Sequence, residues 1–140
     1  MTDGELRDCE YELDDADELL WRQVHPRFVR DGVVAAEGFV GPKPGTSEIS
    51  VVRSSLRSSH QARAHHTETL GLDSAGTWAV SVGEVLKTRG RSIDDANCPE
   101  VDTPGHAYVD LRLLSKNERK RARVVLAAAA TNRGQLQQAA

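Results

Sequence analysis

Cysteine is almost absent from this chain: its 140 residues hold two, Cys9 and Cys98. Two thiols are too few for a disulfide scaffold or a four-ligand zinc site, and no metal is expected. That scarcity makes the cytoplasm the default compartment. Aromatic residues are scarce too, at 4%, and none is interleaved with basic residues, so single-stranded nucleic acid finds no stacking platform. No apolar run approaches the ~20 residues of a membrane helix, and no membrane is expected as a partner. The N-terminus lacks the basic and apolar regions of a secretory signal. No GxSxG, HExxH, GxGxxG, CxxC or phosphate-loop motif occurs, so no signature specifies a reaction class. Residues 41–45, Gly-Pro-Lys-Pro-Gly, lack a following Lys-Ser/Thr and read as a plain loop.

What is present describes a globular chain. Hydrophobic residues make up 39% and charged residues 28%, the balance of a folded domain. The length suits one domain, large enough to hide roughly two thirds of its unfolded surface. Charge is unevenly spread. Residues 1–18 hold nine acids against Arg7, a net −8 inside a whole-chain −3, which leaves +5 on residues 19–140. Such a segment reads either as a solvated, flexible leader or as a cover for a basic surface. The bases are 14 Arg and 4 Lys. That excess reflects either GC-rich coding or a use for the planar Arg fork, which suits phosphate and carboxylate.

Patterning places the elements. Residues 19–25 (LLWRQVH) read as a strand that Pro26 ends. Asp31-Gly32 is a turn signal, followed by a second strand over 33–40 that Gly38 weakens. Residues 48–53 (EISVVR) form the next strand. Residues 58–70 read as a surface helix, capped by Ser58 or Ser59 and closed by Gly71. Residues 76–86 alternate as a strand, in which Glu84 interrupts the apolar face of Trp78, Val80 and Val82. Residues 94–105 form a loop long enough to suggest a function. Residues 106–113 alternate again, with Ala107, Val109, Leu111 and Leu113 on one face and His106, Tyr108, Asp110 and Arg112 on the other. Ser115-Lys116-Asn117-Glu118 is a capping box that opens a helix to about residue 133, with Ala122, Val125, Leu126 and Ala129 as its buried stripe. The pattern predicts an α+β single domain over 19–134, with a mainly antiparallel sheet of four to five strands and two main helices. A flexible acidic leader (1–18) and a frayed tail (135–140) flank it.

The polar row on the 106–113 strand is the leading candidate site. His works as acid or base near neutral pH, and Arg holds phosphate or carboxylate. The alternative for this row is a solvent-facing sheet surface laced with ion pairs. His25, Glu84 and His106 are the candidate catalytic groups, and Arg22, Ser50, Tyr108, Asp110 and Arg112 the candidate ligand-binding groups. Glu84 either ends its strand in water or pairs with a buried partner such as Arg22 or His106, and burial makes it a general-base candidate through desolvation. Arg53, Arg57 and Arg63 flank the 58–70 helix as a candidate anion patch. His60, His65 and His66 do not stand at the i, i+4 spacing of a helical metal pair.

The run Leu20-Trp21-Arg22-Gln23-Val24-His25-Pro26, with Asp31-Gly32, Phe39, Ile49-Ser50-Val51, Ala64-His65-His66, Gly71 and His106-Ala107, resembles a family of small uncharacterised bacterial proteins. It covers most of residues 19–133 and implies no catalytic residues. A looser resemblance is to RES-type and other ADP-ribosyltransferase-like domains. Those place a basic residue or His on an early strand, a Ser or Tyr on a following strand and a late carboxylate, around a split sheet that holds NAD. This resemblance implies roles for His25 or Arg22, Ser50 or Ser54, and Glu84 or Asp110. The chain departs from it in lacking the RES-type Arg-Trp-Asn and Gly segment and a Tyr after the second strand.

Three functional readings result. The first is a non-catalytic accessory or interaction domain that works with another bacterial protein, in a defence or toxin-type gene pair, and needs no cofactor. Small size, missing catalytic motifs and charge segregation suited to steering support it. The second is a small enzyme on a nucleotide or NAD-like substrate, using His25, Glu84, His106 and Arg112, with NAD as its only cofactor. The third, least expected, is nucleic-acid binding through Arg53, Arg57, Arg63 and the bases of 116–123. A concave pocket joining His25 and His106 favours the enzyme; a flat apolar patch favours the partner-binder.

Overall fold

Six strands hydrogen-bond into one sheet, and two more form a separate hairpin. The computed structural model describes residues 4–41 and 47–136. The strands are β1 (Tyr11–Glu12), β2 (Leu19–Val24), β3 (Val29–Arg30), β4 (Val33–Val34), β5 (Glu48–Arg53), β6 (Gly76–Ser81), β7 (Arg91–Asp94) and β8 (His106–Asp110). The helices are α1 (Ser59–Ala64), α2 (Val82–Lys87) and α3 (Lys116–Arg133). The large sheet runs β1-β7-β8-β5-β2-β6, with every pairing antiparallel. The α+β class with a mainly antiparallel sheet therefore holds, with more strands than the four or five expected.

The additional strands are short ones that periodicity misses. β1 has two residues and β7 four, and β7 lies just ahead of the expected 94–105 loop, sharing only Asp94 with it. The 33–40 segment is a strand only at Val33–Val34. It continues as a 3₁₀ turn, Ala36–Phe39, that buries Gly38 and Phe39. Asp31 and Gly32 form the two-residue turn between β3 and β4, both with positive φ, 53° and 77°. This is the Asp-Gly hairpin geometry.

The 76–86 segment is not one strand. Ser81 accepts from the Glu84 N–H at 3.0 Å, and the Glu84 carboxylate accepts from the Ser81 N–H at 2.7 Å. That capping box turns the chain into α2. Glu84 thus stands in the first turn of a helix and not on a strand face. The 58–70 helix is α1 plus a π-turn at His65–Thr69, capped by Ser58 and followed by Gly71 at φ 67°.

The core lies on one face of the sheet. Leu20, Ile49, Val51, Trp78, Val80 and Val109 meet Ala122, Leu126, Ala127 and Ala130 of α3. The α3 stripe is rotated from the expected one, and Val125 is 49% exposed.

The acidic segment departs from the expected flexible leader. From Gly4 on it lies along the sheet edge as a strap. β1 pairs with β7, Leu13 is buried in the core, and Cys9 is disulfide-bonded to Cys98. Glu18 carries an ion pair to Arg53 at 2.9 Å. The tail is described only to Leu136, which bridges to Thr77. The expected fraying of 137–140 lies outside the described residues. No helix among the described residues is long and apolar enough to cross a membrane.

Candidate functional site

The sheet is split at its centre. β2 pairs with β6 over six residues, but with β5 only at Leu20↔Arg53 and Trp21↔Val52. Past Trp21 the two strands part, and Arg22 fills the gap. Its Nε donates to the Gly38 carbonyl at 2.9 Å, Nη1 to the Ser50 carbonyl at 2.9 Å, and Nη2 to the Val40 carbonyl at 3.0 Å. A guanidinium has five N–H groups, so two remain. No carboxylate among the described residues neutralises it. Burial pulls its pKa down to about 10, which still leaves it charged at neutral pH.

A cavity of about 570 Å³ opens over this split, within the size range of small-molecule sites. Register explains its floor. Trp21 pairs with Val52, and Val52 with His106, and directly paired residues share a sheet face. The Trp21 indole donates to the Arg57 carbonyl at 2.8 Å, tying the loop before α1 to this face. Ala62, His65 and His66 line it from the 58–70 helix, and Phe28, Gly38 and Val40 line it as well. Gly38 is tightly packed: a Cβ there would stand 3.0 Å from Val34 Cγ1 and 3.1 Å from Val24 Cγ1, so both side chains would have to give by a few tenths of an ångström.

Four imidazoles line the cavity: His25, His65, His66 and His106. His106 Nδ1 stands 2.6 Å from Asp95 Oδ1, so it donates to that carboxylate. Nε2 has no partner among the described residues. A carboxylate on Nδ1–H fixes the tautomer in which Nε2 carries the basic lone pair. His66 donates Nε2–H to the Asp73 carbonyl at 3.2 Å. Burial outweighs the Asp73 carbonyl bond and, with the nearby Arg22 charge, holds His66 below the usual imidazole range. His65 Nε2 is 3.3 Å from the Thr103 hydroxyl. His25 accepts from the Arg27 N–H through Nδ1 at 3.1 Å, and its Nε2 is 3.7 Å from Asp73.

The predicted site residues divide. His25, Arg22, Ser50 and His106 come together around the cavity. Glu84 does not: it borders a separate hollow beside α3, bonded to Arg133 at 2.8 Å. Burial pushes its carboxyl up, but the Arg133 and Ser81 hydrogen bonds outweigh this and hold it below the usual range. Glu84 is therefore no base of raised pKa.

The polar row of β8 is also spent. The Tyr108 hydroxyl donates to Glu10 at 2.8 Å under the N-terminal strap. Asp110 is buried, with Arg91 at 2.8 Å and Arg112 at 2.9 Å. Only His106 of that row reaches the cavity. The anion patch disperses likewise. Arg53 is taken by Glu18 and Asp94, the latter at 2.7 Å, and Arg63 donates to the Ser74 carbonyl at 3.2 Å. Arg57 meets Arg53 only through the backbone, its N–H donating to the Arg53 carbonyl at 3.0 Å, and lends its own carbonyl to Trp21.

Asp95, Thr103 and Trp21 belong to the site although the sequence pattern does not mark them as site residues. Their signal was weak but present, because Asp95 and Thr103 lie in the long 94–105 loop. No cluster of three His, Cys, Asp or Glu residues able to hold a metal occurs among the described residues. Comparison with protein-family models, with curated proteins and with solved structures finds no match to this chain.

Proposed function

We propose that this chain is a small enzyme acting on a nucleotide or NAD-like substrate, with His106 as general base and Arg22 as anion anchor. The carrying observation is one cavity that joins an unneutralised, carbonyl-bound Arg22 to an imidazole oriented by Asp95. A charge without a counter-charge beside a ligand-sized cavity favours an anionic occupant. His106 Nε2 takes a proton from the attacking hydroxyl or water, and Asp95 stabilises the resulting imidazolium. Apolar walls at Trp21 and Phe28 suit a flat base or nicotinamide ring. The looser resemblance to ADP-ribosyltransferase-like domains agrees with a ligand at a sheet split, although Glu84 supplies no late carboxylate here. The proposed compartment is the cytoplasm, where the Cys9–Cys98 bond is open to reduction.

The test is titration of ADP-ribose and of NAD into ¹⁵N-labelled protein, read at the four cavity imidazoles and the Trp21 indole. Selective shifts at these groups support the reading, as does nicotinamide release from NAD that His106→Ala abolishes. Unmoved resonances at about 10 mM ligand, a concentration that reveals even millimolar affinity, overturn it.

The partner-docking reading keeps one observation in its favour. Val124 and Val125 of α3 are 56% and 49% exposed. It requires that Val125→Lys abolish co-elution with the product of a neighbouring gene while leaving the cavity unchanged.

A further inference from the structure

Asp95 lies just past the end of β7, and no ladder bond holds it. The turn that carries it is held on one side by the Ala96 N–H, which donates to the buried Asp94 carboxylate at 2.9 Å, and on the other by Cys98. The Cys98 N–H donates to the Asp95 carbonyl at 2.9 Å, and the Cys98 carbonyl accepts from Val101 at 3.0 Å. The Cys98 sulfur is bonded to Cys9, which belongs to the N-terminal strap and lies 89 residues away in sequence. Beside this bond the strap is held by the two-residue pairing of β1 with β7, by the Tyr108–Glu10 bond at 2.8 Å, by the Tyr11 hydroxyl donating to Asp94 at 3.1 Å and by the exposed Arg7–Glu100 ion pair, and none of these is covalent. Exposed ion pairs contribute little. The disulfide is thus the covalent pin of the turn that aims Asp95 at His106.

We propose that Asp95 is a positioning residue for His106, and that the Cys9–Cys98 bond makes this positioning depend on thiol redox state. The proposal rests on the reading of His106 as the base of the cavity. The site is set with the bond closed and relaxed with it open. The reductant is a dithiol. Its thiolate attacks the Cys9 sulfur, which is partly exposed while Cys98 is buried. Cys98 leaves as a thiolate and takes up a proton. The second thiol of the reductant then displaces Cys9 from the mixed disulfide. Two electrons pass to the cysteine pair, and the reductant ends as its own disulfide. Thr103, on the same loop, holds His65, so the cavity wall loosens along with Asp95.

The experiment needs no ligand for its first arm. Imidazole nitrogen resonances of the full-length chain are recorded oxidised, in dithiothreitol, and as Asp95→Asn. The oxidised protein shows His106 locked as the Nδ1–H tautomer. Reduction moves His106 toward a tautomer mixture, as Asp95→Asn does, and leaves His25 in place. Exchange of the Cys98 and Val101 amides rises about tenfold or more as the turn opens locally. Cys9→Ser reproduces the reduced state without reductant. An unmoved His106, with two free thiols confirmed by titration, overturns the proposal. So does global unfolding on reduction, because the bond then holds the whole fold and not the loop. ADP-ribose titration forms the second arm. If neither redox state binds it, the proposed substrate class fails, while the imidazole readout still decides redox control.

Discussion

Arg22 carries two burdens at once. Its bond to the Ser50 carbonyl replaces a ladder hydrogen bond that β2 and β5 forgo beyond Trp21, and its bonds to the Gly38 and Val40 carbonyls satisfy the 3₁₀ turn and the residue after it. Arg22→Met leaves these carbonyls without donors, at about 1–3 kcal/mol for each that stays dry. Urea unfolding is expected to show a loss of about 3 kcal/mol or more. Arg22→Lys keeps the charge but lacks the planar fork, and is expected to fall between Met and wild type. Asp110 makes the complementary case. Burial pushes its carboxyl up, but hydrogen bonds from Arg112 and Arg91 outweigh this and hold it below the usual range. Glu18 behaves alike, with Arg53 and Ser55 overcoming burial. A lowered folded pKa stabilises the fold only once the group is ionised. This contribution is therefore complete above the ordinary carboxylate range and is lost as pH falls through the lowered values. The melting temperature is expected to hold steady from neutrality to about pH 5 and to drop below about pH 4. Asp110→Asn should flatten that acid limb. It should also lower stability at pH 7, because Arg91 and Arg112 lose their buried counter-charge. An unchanged acid limb in this variant would remove Asp110 from the account.

At the scale of elements, legibility followed locality. α3 was readable because Ser115 and Glu118 form a box within one turn and alanines favour helix. The same box at Ser81 and Glu84 ended β6 and was hidden by apparent alternation through Val82. The β8 rhythm was real, since Ala107 and Val109 do face the core. Its polar face looks open in the sequence because what covers it lies far away along the chain. Glu10 reaches Tyr108 across 98 residues, and no periodicity reports such a contact. The cavity depends on a similarly remote element. α1 has six residues, too few to persist alone, so its Ser58 cap matters. Ser58→Ala is expected to cost about 1 kcal/mol. Faster exchange of the Gln61 and Ala62 amides and weaker ADP-ribose binding should accompany it. Slower or equal exchange would show that packing on Trp21, and not the cap, holds that wall.

The whole molecule is divided by charge and then closed on itself. The strap brings Glu10 to Tyr108, Glu18 to Arg53 and the Gly4 carbonyl to Arg91. Its disulfide closes most of the chain into one loop, a constraint worth about 2–4 kcal/mol. Without the acids the body is basic: removing residues 1–17, eight acids and one base, changes the formal net charge from −3 to +4. Arg91 then loses the Gly4 carbonyl, and Tyr108 loses Glu10. A truncation from residue 18 is expected to be retained on heparin, while the full chain elutes unretained. Retention should weaken with salt at close to one unit of log–log slope per cation engaged. Truncation also discards Leu13 and Cys9, both fixed in the fold, so far-UV circular dichroism must accompany it. A full-length variant with Glu12, Asp14, Asp15 and Asp17 as their amides keeps the core and the disulfide while removing four charges from residues that are exposed. If the strap shields a basic surface, this variant gains part of the heparin retention of the truncation. If neither protein is retained at low salt, the acidic segment shields nothing, and its role is confined to the edge contacts and the disulfide that tie it to the sheet.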